Sequence, residues 1–96
     1  MKLYVIVRKD LSISQRAVQA GHAVAEFLLR GPFSRWKNGT LIYLGVKGLN
    51  QLENLKLKLD YFNISYTEFR EPDIGYEITA IVTDQYCKLF EKINLL

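Results

Sequence analysis

The chain reads as a single three-layer α/β domain at 1–96, a mixed four-stranded sheet with helices on both faces. Three observations predict this class. The run at 3–7 is apolar without interruption, the pattern of a strand covered on both faces. Two stretches with apolar residues at helical spacing follow strand-like runs, so the order strand, helix, strand occurs twice and implies parallel pairing by crossover. Finally, 96 residues with no repeat, low-complexity tract or linker leave room for one core.

The first strand ends where Arg8, Lys9 and Asp10 break the apolar run. Ser12 with Gln15 three residues on has capping-box spacing, and no helix breaker intervenes before Gly31 and Pro32, so a helix is expected over 13–30. Ala17, Ala20, Gly21, Val24, Phe27 and Leu28 recur on one side of it and are expected to form its core face. The segment 31–39 holds both kinds of breaker and reads as a loop or short helix. A second strand follows at 41–46. Apolar residues at 49, 52, 55, 59 and 62 then predict a second helix, with Asn63 suited to end it. Two β-rich segments, 65–69 and 76–83, flank a turn punctuated by Pro72 and Gly75; they pair as a hairpin or flank another strand. Tyr86, Leu89, Phe90 and Ile93 predict a last helix over 85–94.

Composition narrows the function classes. Hydrophobic residues make up 49% and charged residues 24%, globular values that exclude a disordered or fibrous chain. No apolar run approaches the roughly 20 residues needed to span a bilayer, and no signal peptide follows Met1, so a cytoplasmic protein with no membrane partner is expected. With Cys87 the only cysteine and His22 the only histidine, neither an internal disulfide nor a Cys/His metal site can form. Neither a phosphate-loop motif nor a dinucleotide glycine motif is present, Gly45-Val-Lys-Gly48 matching neither, and no cofactor is expected. The net charge of +3 is unevenly spread: residues 1–39 carry seven basic against two acidic side chains, the remainder six against eight. One-sided positive charge suits a polyanion, though it equally describes a solvated face.

Several residues can carry chemistry. On a wheel of about 100° per residue, Gln15, Gln19, His22 and Glu26 form one polar stripe opposite the expected apolar face. His22 there can act as acid, base or phosphate ligand, or simply face water. Asp73 in its turn and Thr79 in the strand beyond can orient a water, or Asp73 can bond the turn's own amides. Ser12 or Ser14 with His22 and Asp73 supplies the residue types of a nucleophilic triad, but no nucleophile elbow accompanies them. Trp36, between Arg35 and Lys37, can stack on an unpaired base or cap the core with its indole.

The opening Leu3-Tyr-Val-Ile-Val-Arg-Lys-Asp10-Leu11 and the helix segment Gln19-Ala-Gly-His22-Ala23 resemble the type 2 peptidyl-tRNA hydrolases, the archaeal and eukaryotic kind. Their first strand ends in Arg-x-Asp-Leu and their first helix carries Gln-x-x-His-Ala. Asp73-Ile-Gly75 and the later Thr79 are similar to further family segments, and the order of elements matches across most of the chain. The resemblance implies a four-stranded mixed sheet and cleavage of the ester joining a peptide to the 3′ end of tRNA. It implies that Asp10, Gln19, His22, Asp73 and Thr79 are site positions, with Asp73, Thr79, His22 and Gln15 as the catalytic candidates and Asp10 and Gln19 as substrate contacts; Lys9, Arg16, Arg35, Trp36 and Lys37, from their charge and the indole ring, are the further candidate tRNA contacts. At the helix position four before the motif glutamine, the family's functional lysine is replaced here by Gln15; Arg16 stands beside it but points about 100° away. The alternative implied is a tRNA- or RNA-binding domain that keeps the fold and has lost catalysis. A second copy of the chain is a further candidate partner.

Overall fold

The computed structural model describes residues 1–30 and 36–96. Strand β1 is Lys2–Arg8, helix α1 Ile13–Arg30, strand β2 Thr40–Val46, helix α2 Leu49–Tyr61, strand β3 Thr67–Glu71 and strand β4 Glu77–Thr83. Short 3-10 turns occupy Pro72–Ile74 and Lys88–Lys92. The sheet order is β2-β1-β4-β3, with β1 parallel to β2 and β4 antiparallel to both β1 and β3. It follows that β1, β2 and β3 run one way and β4 the other, the mixed four-stranded α/β sheet that the two crossovers predict. The segments flanking Pro72 do pair as a hairpin, with β3 starting two residues later than the sequence suggests.

Burial explains the layers. Residues 3–8 of β1 are all buried, because β1 lies inside the sheet with a helix over each face. Leu3, Val5 and Val7 join Ala20, Ala23, Phe27 and Trp36 in the cluster under α1, whereas Tyr4 and Ile6 join Leu52, Leu55, Leu59 and Phe90 in the cluster under α2. The period-2 alternation of a strand thus builds two cores from one apolar run. α2 ends where Asn63 takes a left-handed φ of 57°, with the Ile64 amide returning to the Leu59 carbonyl at 2.9 Å.

Two expectations are overturned. The predicted helix over 85–94 reduces to the 3-10 turn Lys88–Lys92, and the chain then runs antiparallel along the outer edge of β2. The Gly45 amide donates to the Asn94 carbonyl at 2.9 Å and the Leu96 amide to the Tyr43 carbonyl at 3.0 Å. A ten-residue helix is of marginal stability, whereas pairing on β2 satisfies groups of an otherwise unpaired sheet edge, and Phe90 still packs on Tyr4 from the turn. The core face of α1 is also rotated: its buried residues are Gln19, Ala20, Ala23 and Phe27, while Ala17, Gly21 and Leu28 are exposed. The polar stripe therefore does not stand opposite the core, although Gln15 and His22 remain exposed. It leans on β3, where the His22 ring stacks on Phe69 at 4.6 Å. The roll is affordable because the amide of the buried Gln19 finds partners for its donor and acceptor groups there.

Candidate functional site

At the carboxyl ends of the parallel strands β1 and β3, beside the first turns of α1, lies a cleft of about 290 Å³. Crevices at such strand ends are where open α/β sheets commonly bind ligands. Gln15, Gln19 and His22 line it from α1, Glu71 and Asp73 from the end of β3 and the following turn. Leu11, Val18 and Ile74 supply apolar walls.

Local chain geometry positions each group. The Ser12 hydroxyl accepts from the Gln15 amide at 3.2 Å, so the N-cap read from the sequence forms. The Gln15 side chain does not complete the capping box; its Oε1 accepts from Gln19 Nε2 at 3.3 Å. Gln19 Nε2 also donates to Glu71 Oε2 at 2.9 Å, and Gln19 Oε1 accepts from the Thr79 hydroxyl at 2.7 Å. Thr79 reaches α1 through a slip in register. Phe69 pairs with Ala80 and Arg70 with Ile78, so Thr79 is the extra residue on β4 and its hydroxyl is aimed at the helix. Bulges of this kind re-aim side chains beside functional sites. The turn Pro72–Ile74 is held by Glu71, whose Oε1 accepts from the Asp73 amide at 3.3 Å.

The Gln19 bond, then the Asp73 amide and the nearby His22, hold the Glu71 carboxyl below its ordinary value of 4.5. Asp10 lies below its ordinary 3.8, chiefly because Arg8 bonds it. Both native values are lower than the unfolded ones. Each group therefore contributes stability in full above the unfolded value, and loses it as pH falls through the native value. Thermal stability is expected to hold from pH 7 to about 5 and to fall steeply below about 4, with a shallower fall in Glu71→Gln. Melting curves across that range check this, and an equal slope in wild type and variant would remove Glu71 from the account.

The cleft thus collects Gln15, Gln19, His22 and Asp73 of the residues expected from sequence. Thr79, expected to be catalytic, has no exposed surface and acts as a positioning residue behind Gln19. Of the expected tRNA contacts, Gln19 lines the cleft and the other described ones do not. Asp10 is engaged by Arg8 at 2.7 Å. Lys9 lays its stem across Gly45 on β2, and a Cβ there would meet that stem at 2.8 Å. Arg16 hooks back on the carbonyls of Lys9 at 2.6 Å and Leu11 at 3.0 Å, bracing the loop that leads into α1. Trp36 is buried and its indole N–H donates to the Thr40 carbonyl at 3.0 Å, so of the two readings the core cap is the one formed and base stacking is overturned. Lys37 is exposed, but it precedes the end of β2 that pairs with Lys2, across the sheet from the cleft. Arg35 lies outside the described residues. The described basic side chains among residues 1–39 are therefore scattered or internally used, and among the described residues lining the cleft there is no lysine or arginine.

Sequence reasoning missed Glu71, Arg8 and Glu77. Glu71 carried a readable signal, an acid immediately before Pro-Asp at a cap position. Arg8 stands in the Arg-x-Asp-Leu segment, but nothing in sequence pointed to Glu77: the buried guanidinium bonds Asp10 two residues on and Glu77 69 positions away. No group of three His, Cys, Asp or Glu able to hold a metal occurs among the described residues, and no helix among them is long and apolar enough to cross a membrane. No family model matches the chain, and no curated protein matches it.

Proposed function

We propose that the protein hydrolyses the ester of a peptidyl-tRNA or a related N-blocked aminoacyl-tRNA, releasing the tRNA. The observation that supports this reading is convergence: Gln15, Gln19 and His22 of the helix motif and Asp73 of the turn, more than fifty positions apart, line one cleft. In the reaction, the Asp73 carboxylate takes a proton from water as the water oxygen bonds to the ester carbonyl carbon. The negative charge that develops on the carbonyl oxygen is met by N–H donors, for which the Gln15 amide and the His22 ring stand in the cleft. The tetrahedral species collapses, the bond to the ribose 3′ oxygen breaks, and that oxygen takes the proton back from Asp73, which returns to the carboxylate. Gln19, locked by Thr79 and Glu71, holds Gln15 and the turn in register.

Neutral donors stabilise a developing oxyanion less than a cation does. Asp73→Ala is expected to lower kcat/KM by about 100-fold or more, the usual scale for loss of a general base. Gln15→Lys is expected to raise it about tenfold, a gain of roughly 1.4 kcal/mol in transition-state binding. Release of tRNA from N-acetyl-aminoacyl-tRNA measures both. No release above background, or release undiminished in Asp73→Ala, would overturn the proposal.

The absence of a lysine or arginine among the described lining residues weighs against catalysis, and the second reading is a domain that binds tRNA or other RNA without cleaving it. Saturable tRNA binding with no turnover in wild type or Gln15→Lys selects that reading.

A further inference from the structure

On the layer opposite the cleft, two grooves meet where the end of α2 faces the turn Lys88–Lys92. The larger, about 540 Å³, has apolar and aromatic walls from Phe62, Ile64, Tyr86 and Leu89. The smaller, about 260 Å³, adds the amides of Gln51 and Asn54. Leu89 and Lys92 line both, which makes them one continuous trough. Lys58, Lys88 and Lys92 are the charged residues along it, with no carboxylate among the described lining residues.

We propose that this trough binds a short single strand of RNA, with a base on the Phe62 and Tyr86 rings and the three lysines on flanking phosphates. The proposal does not depend on the ester chemistry of the cleft. Its support is the pairing of exposed rings with lysines along one groove whose described lining holds no carboxylate. Phe62 is 54% exposed and Tyr86 57%, far more than large aromatics in a finished core. The rings are nonetheless held: Tyr86 leans on Tyr4 at 6.5 Å and Phe62 meets Tyr61 edge-on at 5.2 Å. The carboxylates of Asp60 and Glu91 accept from the Tyr66 hydroxyl at 2.7 Å and from the Tyr86 hydroxyl respectively, and neither lines the trough. Lys56, two residues before Lys58 on α2, is paired with Glu68 and does not line the trough. Stacking on aromatic faces beside a positive groove is how proteins hold unpaired strands, and amides such as Gln51 and Asn54 can bond the ribose 2′-hydroxyl.

Binding of a fluorescein-labelled seven-nucleotide uridine RNA, followed by anisotropy against salt, tests this. Three phosphate contacts predict a log–log slope of about −2, falling to about −0.7 in Lys88→Ala/Lys92→Ala. Phe62→Ala and Tyr86→Ala are each expected to weaken binding about tenfold. All these positions are on the surface, and Lys88→Glu/Lys92→Glu, which removes no apolar contact, is expected to abolish binding while its melting curve stays that of the wild type. The thymidine DNA of the same length is expected to bind several-fold more weakly. A flat salt response, affinity unchanged in the lysine variants, equal affinity for the DNA, or binding to phosphatidylserine vesicles in place of the RNA would each overturn the proposal.

Discussion

Gln19→Glu is expected to lower the melting temperature by about 10–20 °C at pH 7, although the two side chains have nearly the same shape. The nitrogen that donates to Glu71 at 2.9 Å becomes an oxygen, so two carboxylates meet across one hydrogen-bond distance at a buried position. Like charges so close cannot both ionise without a large cost, and the pair shares a proton or the helix is pushed off β3. The lost donor bonds to Glu71 and Gln15 add to this, for a total of about 2–4 kcal/mol. In a domain of this size 1 kcal/mol corresponds to roughly 4–8 °C. The sign of the pH dependence separates this cause from simple misfit. Lowering pH toward 5 supplies the shared proton, so the deficit relative to wild type shrinks; a misfit would be independent of pH. Thermal melts at pH 5 and 7 decide it, and an equal deficit at both would show that charge is not the reason.

Arg8→Met is expected to cost about 2–3 kcal/mol in urea unfolding. The guanidinium is buried, donating to both oxygens of Asp10, to Glu77 at 2.8 Å and to the Ile78 carbonyl at 3.2 Å. Removing one partner of a buried ion pair typically costs about 3–5 kcal/mol. The lower figure applies here because Asp10 and Glu77 are 44% and 43% exposed, so water takes over part of their solvation. Arg8→Lys recovers little, since an ammonium cannot reproduce the fork that grips Asp10 while reaching Glu77. Arg8→Met/Glu77→Gln is expected to be more stable than Arg8→Met, because the second change relieves the carboxylates left facing one another. A loss below about 0.5 kcal/mol in Arg8→Met would place the interaction with ordinary surface ion pairs.

These effects concern contacts that the linear pattern does not display. The apolar run of β1, the caps at Ser12 and Asn63 and the spacing of Leu52, Leu55 and Leu59 all follow from local rules, and each element stands where those rules place it. The last ten residues do not, because whether they coil or pair depends on whether β2 has a free edge. The face of α1 was misread for a related reason. Ala17, Gly21 and Leu28 look like core by hydropathy, yet a buried glutamine with three good partners outweighs an alanine or a glycine left in water.

Chain order and hydropathy by themselves determined the α/β class, the two crossovers and the candidates Gln15, Gln19, His22 and Asp73, since period and punctuation are properties of neighbours in sequence. Only the tertiary structure decided what those candidates do together. It seated Thr79 behind Gln19 through a one-residue slip in β4, and turned Arg16, Arg8 and Trp36 inward as braces. It also left Lys58, Lys88, Lys92, Phe62 and Tyr86 exposed together on the opposite layer. The physical reason is that charge and hydrogen bonding act through distance in space: a count of lysines and arginines along the chain cannot distinguish a cation facing a ligand from one already holding a carbonyl or a carboxylate.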